Sequence, residues 1–240
     1  MMERQKVRKL VLYLSLALFP ITFYYLSPYL IVMGASEGIV SGSFLLFSAL
    51  FLSSLLLGRA WCGFICPASG YQELLARIRK GPARGGKLDW IKYGIWTPWI
   101  TIIIVMFVQA GGISSVDPLY QTWYGISILA SGAIFVLVGV VFVISAVSLL
   151  FGRRGFCHYG CWMAPFMVVG TRIRDLLRLP GLRLKAKKDD CIHCKQCTKN
   201  CPMSLEVEEM VSKGSMRNSE CILCGTCVDI CPKNVISYSF

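Results

Sequence analysis

Ionisable side chains are scarce in this chain, and histidine is almost missing. Asp, Glu, Lys and Arg make up 16% of its 240 residues, where a soluble domain carries about 25%. The only histidines are His158 and His193, and both stand inside cysteine motifs. No pair is available in an apolar segment for a bis-histidine haem, and haem on other ligands has no support, so none is expected. A Walker A loop, a dinucleotide fingerprint and a catalytic triad are also lacking. What remains is apolar: 55% of the residues are hydrophobic and the mean hydropathy is +0.59. Such a composition excludes a disordered chain and an ordinary cytosolic globule.

The few charges are spread unevenly. Residues 1–152 hold 11 basic and 5 acidic side chains, whereas residues 153–240 hold 14 and 8. Runs without charge cover 10–36, 38–58, 90–116 (broken only by Lys92) and 118–152. Each exceeds the roughly 18 residues at which a membrane span becomes the default reading. Spans are therefore expected near 10–32, 38–58, 93–112 and 126–151, with Pro20, Pro28 and Pro98 as kinks that neighbouring helices tolerate. No ionisable residue lies mid-span, so no ion or proton path is expected. Arg4, Lys6, Arg8 and Lys9 precede the first span, and Arg59, Arg77, Arg79, Lys80, Arg84, Lys87 and Lys92 follow the second. The other two connections carry only Glu37 and Asp117. The positive-inside rule then puts both termini in the cytoplasm of a multi-pass membrane protein. Trp96, Trp99, Trp123 and Tyr124, near span ends, read as interface anchors. The first apolar run is too long for a cleavable signal.

All 12 cysteines fall on the cytoplasmic side of this topology, where structural disulfides are rare. Eight form two quartets, CIHCKQCTKNCP (191–202) and CILCGTCVDICP (221–232). Both read C-x2-C-x2-C-x3-C-P, the run in which three thiolates hold one [4Fe–4S] cluster and the fourth reaches to the other. One cluster is expected on Cys191, Cys194, Cys197 and Cys231, the other on Cys221, Cys224, Cys227 and Cys201. Zinc also takes C-x2-C pairs, but a doubled run with both prolines is not a zinc spacing. Ile192, Ile222, Val228 and Ile230 would shield the clusters, and VISYSF at the end suits a closing strand. Residues 183–240 are thus expected to form an α+β ferredoxin domain. The basic stretch RLKAKK (183–188) would link it to the membrane and touch lipid headgroups rather than nucleic acid.

The other four cysteines lie in GRAWCGFICP (58–67) and GRRGFCHYGCWMAP (152–165), each after an even-numbered span. A shift of 95 residues superimposes Arg59 on Arg154, Cys62 on Cys157, Cys66 on Cys161, and Arg77-Ile78-Arg79 on Arg172-Ile173-Arg174. Residues 1–182 are thus expected to be a membrane α-helical domain. It would consist of four transmembrane helices in two repeated hairpins, each followed by a C-x3-C turn and an amphipathic surface helix. Packing about a pseudo-two-fold would bring Cys62, Cys66, Cys157 and Cys161 together as a third iron–sulfur site, [4Fe–4S] or [2Fe–2S]. A redox dithiol, a zinc site and buried apolar filler are the other readings of these four thiols.

The GR-x-W-C-x3-C-P turn, the four spans and the two-quartet tail together resemble the NapH family of membrane ferredoxins, related to NosR and CcoG proteins. Cys161 departs from the pattern, being followed by Trp162 with the proline only at Pro165. The resemblance implies a prokaryotic inner-membrane protein, an electron-transfer subunit of an oxidoreductase. It would relay electrons between cytoplasmic-face clusters and the membrane, with quinol dehydrogenation as a candidate activity. Implied partners are the quinone pool or a partner redox subunit. The external flavin domain of NosR-like members is not expected within these residues. Two other functions fit the same residues: a membrane-bound metal or thiol reductase acting in assembly or maturation, and a passive anchor for a ferredoxin.

Overall fold

The computed structural model describes residues 2–240. Helix α1 (Met2–Ala17) opens the apolar half, but the first expected span does not continue as one helix. Pro20 has no backbone N–H to offer the preceding turn and clashes with it. The chain bends by 57° at Leu18 into α2 (Phe19–Thr22) and a 3-10 turn over Phe23–Leu26. Pro28 then starts α3 (Pro28–Ser36), capped by the Ser27 hydroxyl, which accepts from the Leu30 N–H. Strand β1 (Ile39–Ser41) leads into α4 (Gly42–Leu57), α5 (Ala60–Phe64) and α6 (Pro67–Leu75). A 3-10 turn (Gly86–Trp90) precedes α7 (Ile91–Gln109). Next come β2 (Ser115–Asp117), which pairs in parallel with β1, and α8 (Ala133–Phe151). Helices α9 (Gly155–Tyr159) and α10 (Ala164–Leu176) complete this half.

Two helices, Leu88–Gln109 and Ala133–Phe151, are long and apolar enough to cross a bilayer, and a third crosses if the bent first pair counts as one span. Gly42–Leu57 is apolar but shorter. The fourth expected span begins later than its hydropathy implied, because Gly132, at φ 72°, directly precedes α8.

The packing exchanges partners between the two parts of this half. Helix α6 lies against α1 and against α8, whereas α10 lies against α4. The α10–α4 crossing is tight because Gly170 has no side chain: a Cβ there would run into the Ser54 hydroxyl.

The tail holds β3 (Arg183–Ala186), α11 (Gln196–Lys199), α12 (Val207–Ser212), α13 (Thr226–Ile230) and β4 (Ile236–Ser239). Strands β3 and β4 pair antiparallel from Arg183↔Ser239 to Ala186↔Ile236. Most of the stretch expected as a basic linker is therefore a strand of the tail itself. One hydrophobic core runs through both parts, from Leu30, Phe47 and Met167 to Met203, Ile222 and Val235.

Candidate metal centres

In each tail quartet the loop curls through left-handed residues on both sides of the second cysteine. These are His193 and Lys195 around Cys194, and Leu223 and Gly225 around Cys224, with φ between 52° and 74°. The two quartets line separate, mostly apolar cavities. Cys191, Cys194, Cys197 and Cys231 face one, with Ile192, Val211 and Val235. Cys201, Cys221, Cys224 and Cys227 face the other, with Ile222, Met203 and Met216. Each cavity thus receives three cysteines of one run and the fourth of the other. Burial pushes the Cys221 thiol up to about 12, and burial together with Cys221 and Cys224 raises Cys227. Thiols so placed remain protonated at neutral pH until a metal takes them as thiolates.

Cys62, Cys66, Cys157 and Cys161 are all buried and meet in the core of the apolar half. Cys66 is pushed up to about 12 by burial and then by its neighbours Cys62 and Cys157. Cys161 is raised by burial and by Cys157, Cys62 and Cys66. The surroundings obey the 95-residue shift. Gln72 on α6 donates its Nε2–H to Cys157 Sγ at 3.1 Å, while Met167 on α10, the position equivalent to Gln72, sets its Sδ 3.9 Å from Cys62 Sγ. Each post-turn helix thus closes over the cysteines of the other turn.

Two buried guanidiniums flank these thiols. Arg59 is near Cys62, Cys157 and Cys161, and also near Cys221 of the tail. It pairs with Glu220 at 2.6 Å, a carboxylate shared with Lys92 at 2.7 Å. Burial opposes the charge on Glu220, but Arg59 and Lys92 outweigh it and hold the carboxyl down at about 2. Arg154, the repeat partner of Arg59, is near Cys157 and Cys224. It reaches Glu73 at 3.0 Å and the Ser69 hydroxyl at 2.9 Å. Glu73 is shared with Arg8 at 2.8 Å. Both carboxylates went unremarked in the sequence. The signal that could have found them was a lone acid in an otherwise basic stretch, since a buried cation needs a counter-ion.

The tail is locked onto the cysteine turns. Gly63, between Cys62 and Cys66, lies against the backbone of the second quartet: a Cβ there would collide with the Ile222 carbonyl oxygen and reach contact distance of Cys224 Cα. His158, beside Cys157, has Nδ1 2.7 Å from Asp89 Oδ1 and Nε2 3.1 Å from the Met203 carbonyl, so it ties both parts. His193 is exposed and meets Glu208 at 2.6 Å.

Among the described residues, no three Cys, His, Asp or Glu side chains converge on a point suited to a single metal ion. The donor set at every centre is four cysteines, the set that iron–sulfur clusters take, and it fits such a group.

Comparison with known proteins agrees. The 4Fe-4S binding domain family matches residues 42–84 and 132–180, and the 4Fe-4S dicluster domain family matches residues 183–232. The chain thus carries sequence of 4Fe-4S binding type in both its apolar half and its tail. It is similar to the putative electron transport protein YccM of Escherichia coli, at 28% identity over 222 residues, covering 85% of this chain and 57% of YccM. The ferredoxin-type protein NapH of Haemophilus influenzae is 26% identical over 201 residues, 78% of this chain and 64% of NapH. The methylamine utilization ferredoxin-type protein MauN of Methylorubrum extorquens is 29% identical over 183 residues, 72% of this chain and 59% of MauN. The chain thus spans about three fifths of the length of these relatives. No solved structure matches it. The similarity to NapH and to other ferredoxin-type proteins agrees with the resemblance that the turns and tail led us to expect.

Proposed function

We propose that the chain relays electrons between the cytoplasmic face and the membrane through three cysteine-held sites in series. Cys191, Cys194, Cys197 and Cys231 form the distal site, and Cys201, Cys221, Cys224 and Cys227 the proximal one, each suited to [4Fe–4S]. Cys62, Cys66, Cys157 and Cys161 form the membrane-edge site for a third iron–sulfur cluster. When bound, such clusters supply one-electron carriers whose potentials depend on burial, hydrogen bonding and nearby charge. The observation that carries this order is the backbone contact of Gly63 with Ile222, which puts the membrane-edge turn on the proximal quartet. Arg59 and Arg154 stand between those two thiol groups and offset their negative charge.

The same reading divides the chain into a membrane domain, 1–182, and a ferredoxin domain, 183–240. The bent first segment and the short helix α4 act as spans beside α7 and α8, in two hairpins with both termini in the cytoplasm. The partner is the quinone pool or a second redox subunit. One feature favours the quinone: an apolar cavity of about 300 Å³ opens beside Pro67. Leu16, Phe19 and Pro20 at the break of the first span line it, with Tyr71 as its polar rim. Maturation by dithiol exchange fits less well. Burial raises the Cys62, Cys66 and Cys161 thiols, whereas exchange-active thiols are lowered.

The test is iron, acid-labile sulfide and zinc per chain after anaerobic purification, for the wild type and for Cys62→Ser/Cys157→Ser. About ten to twelve irons falling to about eight in the variant supports three sites. About eight irons in the wild type overturns the third, and abundant zinc with little sulfide overturns all three.

A further inference from the structure

A polar cleft of about 390 Å³ opens where α1, α6 and the turn at 153–154 meet the tail. Five cations line it, Arg8, Lys9, Lys80, Arg153 and Arg154, against one carboxylate, Glu73. That carboxylate is already spent, since Arg8 and Arg154 each take one of its oxygens. Lys9, Lys80 and Arg153 have no carboxylate partner among the described residues. Arg154 is 1% exposed, and its Nε–H, like that of Arg153, is buried with no hydrogen-bond partner. Buried guanidinium donors of this kind are satisfied by carboxylate or by the oxygens of a phosphate, which the planar fork matches. No other carboxylate lines the cleft, so an anion seated there would come from outside the chain.

Position narrows its source. Val7, Leu10 and Leu14, on the other face of the helix that brings Arg8 and Lys9 to the cleft, are more than half exposed, an apolar stripe suited to the bilayer margin. The opposite wall belongs to the tail, through Asn200, Pro202 and Thr226. A ligand seated there would touch both parts of the molecule at once.

We propose that this cleft binds a phosphate group, carried by an anionic phospholipid headgroup or supplied as free phosphate, and that its occupancy clamps the ferredoxin tail onto the membrane half. Basic pockets at the cytoplasmic margin recognise lipid headgroups by this chemistry. The clamp does not depend on how many clusters the chain carries.

The test uses the full chain, purified with its iron, in nanodiscs of phosphatidylcholine alone or mixed with phosphatidylglycerol. Its partner is the triple variant Lys9→Gln/Lys80→Gln/Arg153→Gln, which leaves the buried Arg8–Glu73–Arg154 group intact. Phosphatidylglycerol is expected to raise the wild-type Tm by about 2–4 °C or more, and the variant Tm not at all, at equal iron content. The same difference produced by inorganic phosphate in phosphatidylcholine discs assigns the site to free phosphate. Absence of any shift with either ligand overturns the proposal, as does an equal shift in the triple variant.

Discussion

The tail quartets and the membrane-edge quartet reach the same donor set by opposite routes. In the tail, three of the four cysteines of each cavity lie within seven residues, and the loop itself curls around the site. At the membrane edge the thiols come two and two from turns 95 residues apart, and nothing local brings them together. The solvent setting differs as well. Cys194 is exposed and Cys191, Cys197 and Cys231 are half-buried, the other tail site is buried except for the half-buried Cys221, and Cys62, Cys66, Cys157 and Cys161 are all buried. The fully buried group is ringed by guanidiniums with shared carboxylates, and the same guanidiniums reach the more buried of the two tail sites. A local site needs only its loop; a composite one needs the whole fold and pays for burial with counter-ions.

Removing a counter-ion should break that contrast most sharply. Glu73→Gln leaves Arg8 and Arg154 buried without their carboxylate, and should cost about 3–5 kcal/mol, read as a fall in Tm with loss of membrane-edge order before the tail. Burial favours a neutral Glu73, but Arg154 and Arg8 prevail and hold it down at about 2. Its stabilisation is therefore complete above the usual 4.5 and lost as the pH falls toward 2. The gap between wild type and variant should close over that window.

A smaller effect is expected where the two kinds of site meet. Gly63→Ala forces a methyl group against the Ile222 carbonyl and should cost about 1–3 kcal/mol. Re-oxidation of the reduced tail by the membrane half, followed by stopped-flow absorbance, should slow at unchanged iron content. An unchanged rate would show that the contact does not carry the exchange. The smallest effect belongs to Tyr71→Phe. It removes a 2.7 Å hydrogen bond between Tyr71 and Ser145, across α6 and α8, and should lower stability by about 0.5–1.5 kcal/mol in chemical unfolding.

The contrast also explains what could be read from the residues alone. The tail thiols were legible because their spacing is the site. Those at the membrane edge were legible only through the repeat, which aligned Arg59 with Arg154 and each cysteine with its counterpart. Their counter-ions escaped because Glu73 and Glu220 lie outside any repeat: 73 aligns with Val168, and Glu220 belongs to the tail. Hydropathy marked 10–32 as one span because it counts apolar residues and is blind to where Pro20 interrupts the ladder. The strand β3 was missed because its basic residues read as a linker, and its partner β4 lies some fifty residues away.

The exchange of α6 and α10 between the two parts sets an order of events during synthesis. When α4, α5 and α6 have left the ribosome, α6 still lacks α8 and the cover of Cys62 by Met167 has not been made. Half of the membrane-edge site must therefore wait, thiols uncovered, until residues beyond Cys161 are inserted. The tail quartets, last to emerge, dock onto a platform that is already closed. Release of the first half alone, by truncation before α8, would strand two apolar-site cysteines and leave α6 without its second neighbour.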